Sequence, residues 1–235
     1  MKRGQSPFSY LGTNPGYVPK ISLMETALLI DQIARGVESL GQEITEEAAE
    51  KCVRLLRELD RWNARINLTA IREPREMVGG HLLDSLAIRP LIHGKSLIDI
   101  GTGAGFPGLP IAISEPGLTV ELLDSNARKI GFVQHVIGEL DISNATAIRS
   151  RAENYAPGKR FDTVIARALA SIPRLIELGG HLVAEKGVML ALKGRYPADE
   201  LEEVPDAWNY EVTELAVPAL EARHVVTLKR SKEQS

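Results

Sequence analysis

The chain has a single cysteine, Cys52, among its 235 residues, so neither an internal disulfide nor a cysteine-rich zinc site can form. That usage fits a reduced compartment. The five histidines show no metal-ligand spacing, and no metal is expected. Aromatic residues make up only 5%, and no basic run or stacking pair stands out, which argues against a dedicated RNA-binding module. Charge of one sign is missing as well. The 28 Lys+Arg stand against 31 Asp+Glu, a formal net charge of −3, so any nucleic-acid site has to be a local patch. Nowhere do about 18 apolar residues run together, and the opening MKRGQSPFSYLGTNPGYVPK has no apolar stretch of the signal-peptide kind. The expectation is a soluble, cytoplasmic chain with no membrane partner. A monomer is the default expectation.

What is present is enough apolar material, 44% of residues, for one sizeable domain with an appendage. Residues 1–21 carry Gly4, Gly12, Gly16 and three prolines without periodicity and read as a flexible N-terminal arm. A helical extension over 22–93 follows. Ser22 and Glu25 make a capping box for a helix reaching about residue 40, which Gly41 ends. Thr45 opens a second helix, with Glu46 and Glu47 in its first turn. Its apolar stripe, Ala48, Cys52, Leu55, Leu59, Trp62 and Ile66, keeps helical spacing. Cys52 therefore belongs to the core and is no nucleophile. A third helical stretch covers roughly 73–93, interrupted at Gly79-Gly80.

From residue 96 the period changes to alternating strand and helix, the sign of a parallel sheet with crossover helices. Strands are expected near 96–100, 119–124, 144–149, 161–166, 187–193, 210–217 and 223–230. Helices should fill the first four gaps, the stretch 150–160 among them. Only Pro218 to Ala222 separate the last two strands, too few residues for a parallel crossover, so these must form an antiparallel hairpin. The fold class is α/β: a Rossmann-like seven-stranded sheet with a closing antiparallel hairpin over 94–235, as in class I S-adenosylmethionine-dependent methyltransferases.

The most informative segment is LIDIGTGAGFPG at 97–108. Its glycines let a cofactor approach main-chain N–H groups where a strand turns into a helix. Gly103, Gly105 and Gly108 satisfy the GxGxxG of dinucleotide sites, with Asp124 about 20 residues further on for a ribose. A nicotinamide-dependent oxidoreductase is thus one reading. Asp99 favours another, because a pyrophosphate has no use for a carboxylate in that strand, whereas the cationic amino-acid end of S-adenosylmethionine does.

Several separate stretches then resemble the 16S rRNA (guanine-N7) methyltransferase G family, also called GidB. They are RWNARINLTAI at 61–71, HLLDSL at 81–86, DIGTGAGFPGLP at 99–110, LLDSNARK at 122–129, SRAE at 150–153, ARAL at 166–169, ALKG at 191–194 and VPALEARHVV at 217–226. Gly80 stands where the family usually has a basic residue, and Asn126 where it usually has leucine. The resemblance implies methyl transfer from S-adenosylmethionine to N7 of a guanine in the 530 loop of 16S rRNA, at the position usually numbered 527, in the small ribosomal subunit. A small-molecule methyltransferase of the same fold is the alternative.

In that reading Asp99, Gly101, Thr102, Gly103, Gly105 and Phe106 serve the methionine end and ribose of the cofactor. Asp99 would act through an ordered water or a backbone amide. Asp124 would accept from the ribose hydroxyls, and Ala152 and Glu153 would meet the adenine. His81 and Asp84 would lie close to the methionine end. The candidate catalytic residues are Arg167, Lys193 and Arg223, because ligands of open α/β sheets bind beyond the carboxyl ends of the strands. Arg167 and Lys193 end strands four and five there, Arg223 begins the antiparallel closing strand on the same edge, and Arg167 can also reach the cofactor. Arg223, at the hairpin entry, is expected to be exposed and to contact phosphate. An amine acceptor would call for a D/N-P-P-Y/F stretch after strand four, and a pyrimidine C5 acceptor for a Pro-Cys nucleophile. Both are missing, and guanine N7 needs neither.

Overall fold

A computed structural model describes residues 21–231 of the protein, so the arm expected over 1–21 lies outside the described residues apart from Ile21. The first two helices start where their caps dictate. For α1 (Leu23–Ser39), Ser22 Oγ accepts from the Glu25 N–H at 3.2 Å, and for α2 (Glu46–Asn63), Thr45 Oγ1 accepts from the Ala48 N–H at 3.2 Å. Gly41, with φ +69°, turns the chain out of α1.

The expected interruption at Gly79-Gly80 does not occur. Instead α3 (Pro74–Met77) widens into a π-helical turn (Val78–Leu83) and continues as α4 (Asp84–Leu86). The two glycines loosen the helix without breaking it, because they let other chain segments come close. A Cβ on Gly80 would lie 2.5 Å from Ile71 Cδ1. A 3-10 turn (Arg89–Leu91) leads to the sheet.

The sheet elements follow as β1 (Ser96–Ile100), α5 (Gly108–Ser114), β2 (Thr119–Asp124), α6 (Ala127–Glu139), β3 (Ala145–Arg149), β4 (Phe161–Arg167), α7 (Ile172–Gly179), β5 (Val183–Lys193), α8 (Ala198–Glu202), β6 (Trp208–Leu215) and β7 (Arg223–Arg230). The seven strands run in the order β3-β2-β1-β4-β5-β7-β6, with β7 antiparallel to both β5 and β6 and the remaining pairs parallel. Two expectations are corrected. Residues 150–160 carry only a 3-10 turn (Ala152–Asn154), since Pro157 and Gly158, at φ +71°, stop a helix there. Strand β5 begins at Val183 and not at 187, because β4 and β5 slip in register between Phe161 and Thr163. Gly187 fits that slip: a Cβ there would sit 2.8 Å from the Phe161 carbonyl oxygen.

The helical extension and one face of the sheet share a core in which Leu29, Ile33, Leu55, Leu59 and Met77 join Leu97, Val120 and Phe132. Each such side chain contributes about 1.5–3 kcal/mol by burial. The opposite face packs Phe161, Val164, Leu175, Met189 and Trp208. Cys52 is fully buried in the shared core, and burial pushes its thiol up to about 12. Among the described residues no helix is long and apolar enough to cross a membrane, and no His/Cys/Asp/Glu group could hold a metal ion.

Candidate active site

A cleft of about 570 Å³ opens at the carboxyl ends of the parallel strands. One wall is the glycine turn after β1. The Gly101 and Thr102 N–H groups both donate to the Leu123 carbonyl, at 2.8 and 3.0 Å, and pin the turn to β2. Gly101 adopts φ +70°, and a Cβ there would come 2.7 Å from Leu169 Cδ1. Gly101, Thr102, Gly103 and Phe106 line the cleft, whereas Gly105 does not.

Two carboxylates hold this turn from below. Asp99 is fully buried, and its Oδ2 accepts from Thr102 Oγ1 at 2.6 Å and from the Gly108 N–H at 2.9 Å. Its Oδ1 has no partner among the described residues. Burial pushes the Asp99 carboxyl up to about 6, against the pull of those two hydrogen bonds and of Arg167. Asp99 is thus a brace beneath the turn, and it is not part of the cleft wall. Because it takes the Gly108 N–H, it also occupies the helix start that a pyrophosphate would need. Asp124 Oδ2 accepts from the Gly103 N–H at 3.0 Å and Oδ1 from the Asn126 N–H at 2.8 Å. Asn126 in turn caps α6, its Oδ1 accepting from the Arg128 and Lys129 N–H groups, which the usual leucine could not do. Ala152 is buried against the opposite sheet face and Glu153 lies at the surface, 4.0 Å from Arg151, so neither lines the cleft.

The facing wall carries the cations. Arg167, Lys193 and Arg223 all line the cleft, yet each is tied to an acid. Asp84, brought in by the helical extension, accepts from Arg167 Nη1 through Oδ2 at 3.1 Å and from Arg223 Nε through Oδ1 at 3.2 Å. Arg167 also donates to the Gly80 carbonyl at 3.3 Å. Lys193 Nζ donates to Glu200 Oε2 at 2.7 Å and to the Ala170 carbonyl at 3.0 Å. The expectation of an exposed Arg223 is therefore corrected: its side chain is 31% exposed and held by Asp84.

His81 and Asp84 both line the cleft but do different things. His81 Nε2 lies 2.8 Å from Thr69 Oγ1, and its ring stacks on Phe106 with centroids 4.7 Å apart. Burial, and after it the charge of Arg167, lowers the imidazole to about 4, so it is neutral near pH 7. The Arg167 guanidinium stands 5.8 Å from the Phe106 ring centre and so borders both walls. His224, expected on the same edge as Arg223, and Lys129, named with Arg128 as a possible member of the basic edge, both line the cleft. The sequence reading missed Thr69 and Leu215 as lining residues, together with the part played by Glu200. The only sequence signal for Thr69 and Glu200 is proximity to the motifs NLTAI and ALKG.

The profile of the GidB family, described as rRNA small subunit methyltransferase G, matches residues 48–226. The chain belongs to that family. "Ribosomal RNA small subunit methyltransferase G" of Idiomarina loihiensis is 43% identical over 189 residues, 80% of this chain and 92% of that protein. The protein of the same name from Legionella pneumophila strain Corby is 49% identical over 170 residues, 72% of this chain and 81% of that one. Among solved structures, TrmN from Thermus thermophilus superposes with a TM-score of 0.51 at 18% identity, covering 63% of this chain and 48% of that chain. A putative methyltransferase from Thermoplasma acidophilum gives 0.50 at 15% identity, covering 60% and 70%. At those identities the likeness is one of fold. The methyltransferase G motifs surround the cleft: HLLDSL supplies His81 and Asp84, DIGTGAGFPG the turn, and ARAL, ALKG and ARHVV the three cations.

Proposed function

We propose that this chain transfers a methyl group from S-adenosylmethionine to N7 of a guanine in the 530 loop of 16S rRNA, at the position usually numbered 527, in the small ribosomal subunit of the cytoplasm. Residues 94–235 act as the methyltransferase domain and 22–93 as its helical extension. The observation that carries the reading is that a methyltransferase G chain places its glycine turn and its strand-end cations on facing walls of one cleft.

The turn fits the cofactor. Gly101 and Gly103 contribute bare backbone to the wall for the methionine end, and Asp124, buried at the end of β2 behind the lining residues and fixed by two N–H groups, keeps acceptor capacity suited to a ribose diol. Bound there, S-adenosylmethionine supplies a methyl group on a cationic sulfur. The closing hairpin and the engagement of the Gly108 N–H by Asp99 both oppose a nicotinamide dinucleotide.

The chain's own residues have a positioning task. Guanine N7 carries a free lone pair, so no side chain has to remove a proton, and His81, neutral near pH 7, is suited to packing Phe106. Arg167 and Arg223 can orient the base through O6 or an adjoining phosphate with donors not engaged by Asp84. Methylation leaves positive charge on the base, which three unpaired cations would oppose. Asp84 and Glu200 offset two of them.

The test is incubation of unmodified small subunits with labelled S-adenosylmethionine, followed by mapping of the methylated base. Label on N7 of one guanine in the 530 loop is the expected result. No label in RNA, with label in a low-mass metabolite, would transfer the cleft to a small-molecule methyltransferase.

A further inference from the structure

The sequence shows no stacking pair, but the fold brings two aromatic rings edge to face beside the cleft. Tyr196, in the loop between β5 and α8, is 58% exposed. Its ring centre lies 5.7 Å from that of His224, the planes 83° apart. His224 lines the cleft beside Arg223 and pairs in register with Lys193. Twenty-eight positions separate the two rings in sequence, and only the antiparallel approach of β7 to β5 joins them.

The loop that presents Tyr196 is anchored. Glu200 Oε2 takes both Lys193 Nζ, at 2.7 Å, and the Ile172 N–H, at 2.6 Å, and Pro197 is buried beneath. A shallow depression runs from Lys193 to Glu200 and shares Lys193 and Gly194 with the cleft. Its charged lining is Lys193 and Arg195 against Asp199 and Glu200. With two cations offset by two acids there is no net positive charge to draw in a phosphate, whereas a flat, uncharged base can lie there and donate to the acids from its amino group.

We infer that Tyr196, backed by His224, is a stacking platform for an unpaired nucleobase of the RNA that neighbours the methylated guanine. Sequence-specific RNA recognition works largely on unstacked bases laid against aromatic side chains. Stacking adds affinity without a phosphate contact, so it leaves the salt dependence of binding alone. The inference rests on the RNA-methyltransferase reading above.

The experiment compares the full-length protein with its Tyr196→Ala and Tyr196→Phe variants on unmodified small subunits. A short single-stranded RNA carrying one 2-aminopurine is the probe of stacking. Tyr196→Ala is expected to raise KM for subunits about tenfold with kcat unchanged, the pattern for loss of uniform binding. It should also abolish quenching of the 2-aminopurine. Tyr196→Phe should behave as wild type in both, and the slope of RNA affinity against salt should be the same for all three. If wild type methylates subunits and Tyr196→Ala matches it in KM and quenching, the platform alone is overturned. If wild type does not methylate subunits, the functional reading falls and takes the platform with it.

Discussion

The two walls of the cleft are built on opposite plans. The glycine wall is backbone held by backbone, with Asp99 and Asp124 bracing it from beneath through short-range hydrogen bonds. The cation wall is made of long side chains from the ends of three strands, held by acids from elsewhere. Asp84 arrives from the helical extension and Glu200 from α8. The first wall keeps its shape by local geometry, and the second keeps it only while distant parts of the chain stay docked. Loss of a brace should therefore damage one wall and spare the other.

The largest expected effect concerns Asp99. Its folded value of about 6 lies above the ordinary 3.8, so the folded protein binds the more protons between those values. The associated stability is full below about pH 4 and is lost as pH rises through 6, about 3 kcal/mol by pH 7 at roughly 1.4 kcal/mol per unit. Asp99→Asn keeps an acceptor for Thr102 and Gly108 and cannot titrate. Its urea midpoint should stay flat over that range while the wild-type midpoint falls. Parallel pH profiles would remove Asp99 as the titrating brace.

Next come two substitutions that should separate the walls. Asp84→Ala frees Arg167 and Arg223 and should slow methyl transfer about ten- to hundredfold, or about 1.4–2.7 kcal/mol. Calorimetry should show S-adenosylmethionine affinity within about twofold of wild type. Asp124→Ala should do the reverse, weakening cofactor about tenfold or more while transfer recovers at saturating cofactor. Equal loss of both properties in both variants would erase the distinction.

Arg167 sharpens it, because it lies against Phe106 as well as Asp84. Arg167→Ala should lower methyl transfer and also weaken cofactor a few-fold, about 0.5–1 kcal/mol. Lys193→Ala should lower transfer only. Indistinguishable cofactor affinities for the two variants would place Arg167 wholly on the cation wall.

The smallest effect is expected at Arg223. A free phosphate contact contributes about 0.7–0.9 to the slope of log affinity against log salt, the lower value for single strands. Since Asp84 already holds Nε, Arg223→Ala should reduce the slope by less than that, as measured by RNA binding across a salt series. A full unit of change would mean that RNA displaces Asp84.

What was legible in the sequence follows the same division. Ser22 and Thr45 as caps, the strand starts at Ser96 and Thr119, and the short hairpin all depend on neighbours within a few residues, and the glycine turn is legible from its own composition although β2 pins it. The shared carboxylate was not legible, because Asp84 lies 83 positions from Arg167 and 139 from Arg223. Nor was the π-helical turn, since two glycines in a helical pattern look like a break until Ile71 is seen filling the space above Gly80. The slip at Gly187 and the meeting of Tyr196 with His224 likewise depend on the partner strand, which local periodicity does not encode.

The lone thiol of Cys52 gives the protein a clock. It sits on α2 in the core shared with the sheet, and both its burial and its raised ionisation keep it inert to alkylating reagents. Labelling then requires the helical extension to lift, so the labelling rate counts those openings one event at a time. The same extension carries Asp84, whose grip on Arg167 and Arg223 closes the cation wall. A ligand that needs that wall complete should slow the clock in proportion to its occupancy. One buried sulfur atom outside the cleft lining thus reports how firmly the cleft is shut.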